Sequence, residues 1–355
     1  MIHRSGGFDA LRLVAASMVI FGHSFPLTGH VDSFGLLANG IHAIGVKIFF
    51  VISGYLITRS WQSDPHFGRF WLKRALRIMP GLTALCLFTA LVAGPLLSYL
   101  PVLDYFRNRG TAFYFWNVAL YPIFDLPGVF ADNIYPIVVN GSLWSLPIEV
   151  AMYCGVPLLI GHYRPSARFL IPGAALGLLA ASLYFVRIAP PASPPIIWGT
   201  SLVAALDVAY YFYAGATMAV LKLDRFCNPW VGFTIFCASN WYFTGGIPAE
   251  IALAVALPYL SISVGKAKTT WLKPLDGHDY SYGLYLYGFP VQQTVVHFVG
   301  AQSALFNTAV SLPITLIFAV VSWREIERRA LKLKPFGAGK KPLPHPPALK
   351  AAGLN

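Results

Sequence analysis

The amino-acid sequence predicts an all-α protein, a polytopic transmembrane bundle of about ten helices with both termini in the cytosol. Apolar residues make up 56% of the 355 residues and charged residues only 11%, whereas soluble domains carry about a quarter charged residues. Long apolar runs, such as residues 82–97 and 247–264, lack the alternation of barrel strands. Because a backbone in lipid must satisfy its own hydrogen bonds, these runs predict helices.

Ten stretches have the length of about 18–25 residues that a bilayer requires. The first is no cleavable signal peptide, because Asp9 and Arg12 lie within its apolar run. The four cysteines show no CxxC spacing, so no metal site is predicted. The ten predicted spans centre near residues 17, 48, 89, 152, 178, 211, 236, 257, 288 and 314.

The positive charge follows the predicted topology. Of the 26 lysines and arginines, 21 fall on one side of the membrane if the N-terminus is cytosolic. This positive-inside pattern predicts an even number of crossings. The net charge of +12 is therefore explained by basic loops that face membrane lipid. No nucleic-acid partner is predicted. The expected domains are a transmembrane domain, residues 1–325, and a basic, partly disordered cytosolic tail, residues 326–355.

The first span carries three ionisable residues, Asp9, Arg12 and His23, which are functional candidates because charge inside a membrane is costly. At 100° per residue all three lie on one helix face, with Arg12 and His23 about 16 Å apart along the axis. Asp9 and Arg12 are spaced to pair with each other. The alternative interpretation is an interface pair and a structural histidine facing a neighbouring helix.

The fourth span carries Glu149, with Ser142 and Ser145 predicted on the same face and Trp144 between them. Its predicted depth is close to that of His23, so the two side chains are expected to share one cavity. A histidine oriented by a carboxylate can act as a general base on a hydroxyl. A polar contact between helices is the alternative.

Arg74 and Arg77 lie one helical turn apart at the predicted inner membrane face. Guanidinium groups suit phosphate oxygens, so this pair could hold the phosphates of a nucleotide-type donor. Anchoring on anionic lipid explains the same pair equally well.

Four segments occur in a fixed order: FDALRLVAASMVIFGHS (8–24), FFVISGYLIT (49–58), RFWLKRALRIMP (69–80) and SLWSLPIEVAMY (142–153). Together they resemble the acyltransferase-3 family of integral-membrane O-acyltransferases, in the form without a soluble hydrolase-like domain. A fifth segment, residues 281–291, resembles a late helix of the family. That helix usually carries a histidine where this chain has Gly288.

The resemblance implies that an acyl group, with acetyl expected, moves from cytosolic acyl-CoA to a hydroxyl of an envelope saccharide or lipid-linked sugar. It implies a bacterial inner-membrane location and no metal. His23 would act as base or as acyl-imidazole. Glu149 and Asp9 would have catalytic roles. CoA would be bound by Arg12, Arg74 and Arg77. The acceptor would be bound by Ser142, Trp144 and Ser145, and Trp116 could stack on a sugar ring.

Two other functions fit a helical bundle with buried charge. A secondary transporter or flippase for an envelope sugar precursor is the first, although no internal repeat is visible in the sequence. A non-catalytic sensor or scaffold is the second, and it predicts that His23→Ala leaves acylation intact.

Overall fold

The predicted all-α membrane bundle is confirmed by a computed structural model that describes residues 6–32, 34–161, 167–267 and 277–334. Eight helical stretches in these ranges are long and apolar enough to cross a membrane. The only strands described, β1 (Ile196–Ile197) and β2 (Thr200–Ser201), form one short antiparallel pair. The helices are α1 Gly6–Leu27, α2 Ile41–Ser63, α3 Phe67–Phe88, α4 Gly94–Leu97, α5 Val102–Arg107, α6 Arg109–Phe113, α7 Ser145–Ile160, α8 Ala167–Leu183, α9 Leu202–Val220, α10 Pro229–Tyr242, α11 Gly246–Lys266, α12 Ser281–Val299, α13 Ala304–Ser322 and α14 Arg328–Leu331.

Two of the ten predicted spans are helices that lack the length or the apolarity of the other eight. Helix α10 has 14 residues, about 21 Å at 1.5 Å per residue, and so is shorter than a bilayer core of about 30 Å. Helix α12 is long enough but contains the buried amides Gln292 and Gln293. It packs against α1, α3 and α13, so its polar groups find partners inside the protein.

Helix α2 lies at the centre of the bundle because glycines let its neighbours approach closely. A Cβ added to Gly45 would lie 2.6 Å from the carbonyl oxygen of Ala15 in α1. On the other side, a Cβ on Gly54 would lie 1.8 Å from the carbonyl oxygen of Phe212 in α9. Small residues at such contacts are how helices pack in membranes, where backbone approach replaces the hydrophobic effect.

A buried ion-pair network joins four elements at one end of the bundle. Asp279, just before α12, accepts hydrogen bonds from Arg12 at 3.0 Å and from Arg77 at 2.6 Å. Arg77 also pairs with Glu327 at 3.1 Å, beyond the end of α13. The start of the first helix and the end of the last therefore lie on the same side, as an even number of crossings requires. The assignment of that side to the cytosol stays a prediction.

The predicted pairing of Asp9 with Arg12 is replaced by contacts to the segment before α12. Arg12 pairs with Asp279, while Asp9 Oδ2 accepts a hydrogen bond from the backbone N–H of Gly277 at 3.2 Å. Sequence spacing placed the two side chains on one face, but this segment reaches both of them. Residues 335–355 of the predicted tail lie outside the described residues.

The segment between α3 and α7, at the end of the bundle opposite the ion-pair network, is a folded cap with its own core. Tyr105 and Tyr114 are fully buried there, and burial raises the pKa of Tyr105 to about 12. Asn133 donates to the backbone and the side-chain oxygen of Gln293, both at 2.9 Å. Gln293 in turn donates to the carbonyl of Val138 at 2.7 Å. These bonds fix the cap on α12, next to the end of α1 that carries His23.

Candidate active site

A cavity of about 310 Å³ lies among α1, α2, α3, α7 and α12. Its wall along α2 runs from Val46 to Ser60, a distance of about 21 Å for 14 residues of helix. The side chains that reach it include five that the sequence analysis selected. These are Arg12, Arg74, Arg77, Ser145 and Glu149.

Arginine dominates one end of the cavity. Arg74 and Arg77 both line it, as their spacing of one turn predicts, and Arg12 joins them from α1. Arg12 and Arg77 are held by Asp279 and Glu327, so carboxylates offset part of their charge. Arg74 lies over the ring of Phe70 at 5.8 Å. Lys334 also reaches the lining. The cavity can therefore receive an anionic group at this end.

Of the four basic residues in the segment 69–77, two pair with Asp64 and two line the cavity. Asp64 binds Arg69 at 2.6 Å and Lys73 at 2.7 Å in the loop between α2 and α3. The hydrogen bonds from Arg69, and then from Lys73, hold the pKa of this carboxyl well below its usual range. Asp64 thus engages two of the cations outside the cavity, and Arg74 and Arg77 are the two that line it.

Glu149 lines the cavity, but its partners differ from the predicted one. Its Oε1 accepts hydrogen bonds from Ser53 of α2 and Tyr153 of α7, each at 2.5 Å. His23 instead lies beside other side chains, so the expectation that Glu149 orients His23 in a shared cavity is wrong. The reason is the rotation of α7, which points Glu149 towards α2. Ser53 and Tyr153 lie within two of the segments that carry the family resemblance, yet sequence spacing did not select them.

The predicted stripe of Ser142, Ser145 and Glu149 is only partly present. Residues Gly141–Trp144 form a 3₁₀ turn, and its tighter winding takes Ser142 off the face that Ser145 and Glu149 share. The Ser142 carbonyl accepts a hydrogen bond from Tyr285 at 2.9 Å, and the carbonyl of Trp144 accepts one from Thr200 at 3.2 Å. Neither side chain lines the cavity. Ser145 does, hydrogen-bonded to the Tyr285 hydroxyl at 2.5 Å.

His23 lies near the C-terminal end of α1, half-buried and outside the cavity lining. Its ring lies 5.4 Å from that of His42 and 5.3 Å, edge to face, from that of Phe289. Within the described ranges, neither ring nitrogen of His23 has a hydrogen-bond partner. The imidazole is therefore held by ring contacts while its nitrogens stay available to a substrate.

Val46 and Phe289 lie near His23, and Val46 also lines the cavity. Phe289 contacts His23 on one side and packs on Gly141 on the other, where an added Cβ would lie 2.8 Å from its ring. Val46 lines the cavity and lies one helical turn, about 6 Å, from His42 on α2. The Val46 end of the cavity therefore lies one turn of α2 from His42, which contacts His23.

Gly288 replaces the histidine that the resemblance leads one to expect in α12. An added Cβ would lie 2.8 Å from Cγ1 of Ile20 in α1. The position is thus a close contact between α12 and α1, and this packing leaves no room for an imidazole. The second imidazole near His23 comes from His42 instead, a residue that sequence reasoning missed although it opens the second apolar run.

These features define an integral membrane protein with a cation-lined internal cavity that leads towards a pair of histidines. The acyltransferase-3 family model, described as an acyltransferase domain, matches residues 5–324. The chain therefore belongs to this family and is an O-acyltransferase.

Relatives with assigned names point in the same direction. The chain is 28% identical over 340 residues to the O-acetyl transferase of Shigella phage Sf6, covering 93% of this chain and 97% of the relative. It is 29% identical to nodulation protein 10 of Rhizobium leguminosarum bv. viciae, covering 94% of this chain and 95% of the relative. The peptidoglycan O-acetyltransferase OatA of Listeria monocytogenes is 24% identical, with 90% of this chain matching 54% of its length. No solved structure matches.

Proposed function

We propose that this O-acyltransferase moves an acyl group, in the first instance acetyl, from cytosolic acyl-CoA to a saccharide hydroxyl at the outer face of a bacterial inner membrane. The observation that carries the proposal is the cavity itself. It has arginines at one end, and its lining residue Val46 lies one turn of α2 from His42, which is beside His23. The ring nitrogens of His23 are available to a substrate.

The arginine end suits the phosphates of CoA. Guanidinium groups bind phosphate oxygens through paired, charge-assisted hydrogen bonds. Arg12 and Arg77 are already oriented by Asp279, so little ordering is needed when a donor enters. Arg74 contributes a further guanidinium at the same place. These three residues form the proposed donor site.

The middle of the cavity suits the pantetheine arm of the donor. Phe49, Phe50, Leu56 and Ile57 line it along α2, and their apolar surface matches an extended chain of methylene and amide groups. Glu149 is the polar exception, and in the proposal its carboxylate accepts a hydrogen bond from an amide N–H of that arm. The length of about 21 Å along α2 carries the thioester from the arginines towards the outer end.

The acyl group meets the acceptor beside His23. The acceptor oxygen attacks the thioester carbon, the C–S bond breaks as the ester C–O bond forms, and the hydroxyl proton leaves with CoA as its thiol. An imidazole serves this reaction either as the base or as a transient carrier of the acyl group.

A saccharide acceptor is supported by the relatives and by the outer surface. One relative is named a peptidoglycan O-acetyltransferase. Trp116, Tyr121 and Trp198 form a row of exposed rings on two outer segments, with neighbouring centroids 6.5 and 5.6 Å apart. Such rings offer flat faces on which a sugar can stack.

Purified protein in liposomes with radiolabelled acetyl-CoA and envelope saccharide fragments tests this function. Label should appear in ester linkage on the saccharide, and free CoA should form in equal amount. Movement of the saccharide across the membrane without ester label would instead favour the transporter function.

The topology has a separate test. Reporter tags at His66 and after the last residue should report the cytosol, and a tag at Asp132 should report the outside. The physical reason is the charge bias of the loops, together with the shared side of the start of α1 and the end of α13. Alkaline phosphatase and fluorescent-protein fusions measure the two sides. An active phosphatase fused at His66 would contradict the orientation.

A further inference from the structure

A second histidine faces His23 at the outer end of the bundle. His42 lies at the start of α2, with its side chain 39% exposed and its ring 5.4 Å from that of His23. Its Nδ1 is buried and has no hydrogen bond, although Asp32 Oδ2 lies 4.0 Å away. A buried polar atom of this kind normally has a partner. A small rotation of the ring towards Asp32 would supply it.

Asp32 is held in place independently of His42. Its Oδ1 accepts the backbone N–H of Phe34 at 3.0 Å, and its Oδ2 accepts that of Ile41 at 2.9 Å. Gly40 completes the arrangement, because an added Cβ would lie 2.8 Å from Cε1 of His42 and 3.1 Å from Oδ2 of Asp32. The carboxylate is therefore fixed beside the imidazole in a space that only a glycine leaves open.

We propose that the Asp32–His42 couple is the general base that takes the proton from the acceptor hydroxyl, while His23 faces the acyl group across the same gap. The inference rests on the proposed function. Among the described residues, His42 has a carboxylate beside its ring and His23 has none. Once the ring rotates to donate to Asp32, that hydrogen bond selects the tautomer with the proton on Nδ1, so Nε2 presents its lone pair.

The centroids of the two imidazole rings are 5.4 Å apart. An acceptor hydroxyl that donates to Nε2 of His42 therefore lies next to His23. As the hydroxyl oxygen bonds to the acyl carbon, its proton passes to Nε2 of His42 and the C–S bond breaks. The proton then joins the departing thiolate. The ester and CoA thiol are the products, and both histidines return to their starting state.

The test compares two acceptors in the reconstituted full-length protein. A saccharide hydroxyl needs a base, whereas hydroxylamine attacks a thioester without one. His42→Gln should lower kcat for the saccharide by about 10²- to 10⁴-fold, with transfer to hydroxylamine, corrected for the uncatalysed reaction, nearly unchanged. Asp32→Asn should also lower kcat for the saccharide, as His42→Gln does, and should leave KM unchanged. His30→Gln is the matched control, a nearby exposed histidine bonded to Thr28, and should behave as the wild type.

Each result supports or overturns the assignment. Equal losses for both acceptors in His42→Gln, with CoA binding retained, would make His42 a packing residue and overturn the proposal. Wild-type rates with the saccharide would overturn it as well. If His42→Gln fails to fold, Asp32→Asn replaces it in the test. A loss with the saccharide but not with hydroxylamine then supports the proposal, and equal losses overturn it. A wild-type protein that acylates neither acceptor would instead overturn the proposed function. Failure of the proposed function can thus be distinguished from failure of the His42 assignment.

Discussion

His23→Ala and His23→Gln are expected to abolish acyl transfer while the protein still folds and still binds CoA. The imidazole has available nitrogens at the outer end of the path, 11 residues along α1 from Arg12. Loss of an acid–base group costs roughly 10²- to 10⁴-fold, and loss of an acyl carrier abolishes turnover. Ester formation from radiolabelled acetyl-CoA measures transfer, and calorimetry with CoA measures donor binding.

His297→Gln is the matched control for this prediction. His297 lies on α12 against Phe130 and Phe298, so its loss should leave turnover unchanged. Glutamine can replace a structural histidine by keeping one hydrogen bond. Near-normal turnover in His23→Gln would therefore contradict a catalytic role and favour the scaffold function or a purely structural histidine.

Arg77→Ala and Arg74→Ala are expected to differ, although the two residues belong to one motif. Removal of Arg77 takes the cationic partner from the buried Glu327 and leaves Asp279 paired with Arg12, and breaking a buried pair costs about 3–5 kcal/mol. We therefore expect a large fall in the melting temperature and in the amount of folded protein. Arg74→Ala should lose phosphate hydrogen bonds of about 1.5–3 kcal/mol. CoA affinity should then fall about 10- to 150-fold.

A compensating variant separates stability from binding at Arg77. Glu327→Gln added to Arg77→Ala removes one orphaned charge and should recover part of the lost melting temperature without restoring CoA affinity. Thermal unfolding in detergent and CoA calorimetry measure the two effects. If Arg74→Ala binds CoA as the wild type does, this arginine is a lipid anchor and the donor site lies elsewhere.

The sequence by itself determined the class of the fold, because composition and the length of apolar runs leave a helical membrane bundle as the only structure that satisfies the backbone. It also selected several residues that line one cavity. Arg74 and Arg77 are neighbours on one helix turn, so local periodicity was enough to bring them together. The family followed from short motifs in a fixed order, which the family match confirmed.

Tertiary structure alone decided which charged groups are partners. Glu149 binds Ser53, 96 residues away, and Arg12 binds Asp279, 267 residues away. Periodicity says which face of a helix a residue occupies, but not how that helix is rotated against a distant one. The close contact of α1 with α2, permitted by glycine, brings His42 to His23. That contact depends on backbone approach between two helices, which no local pattern encodes.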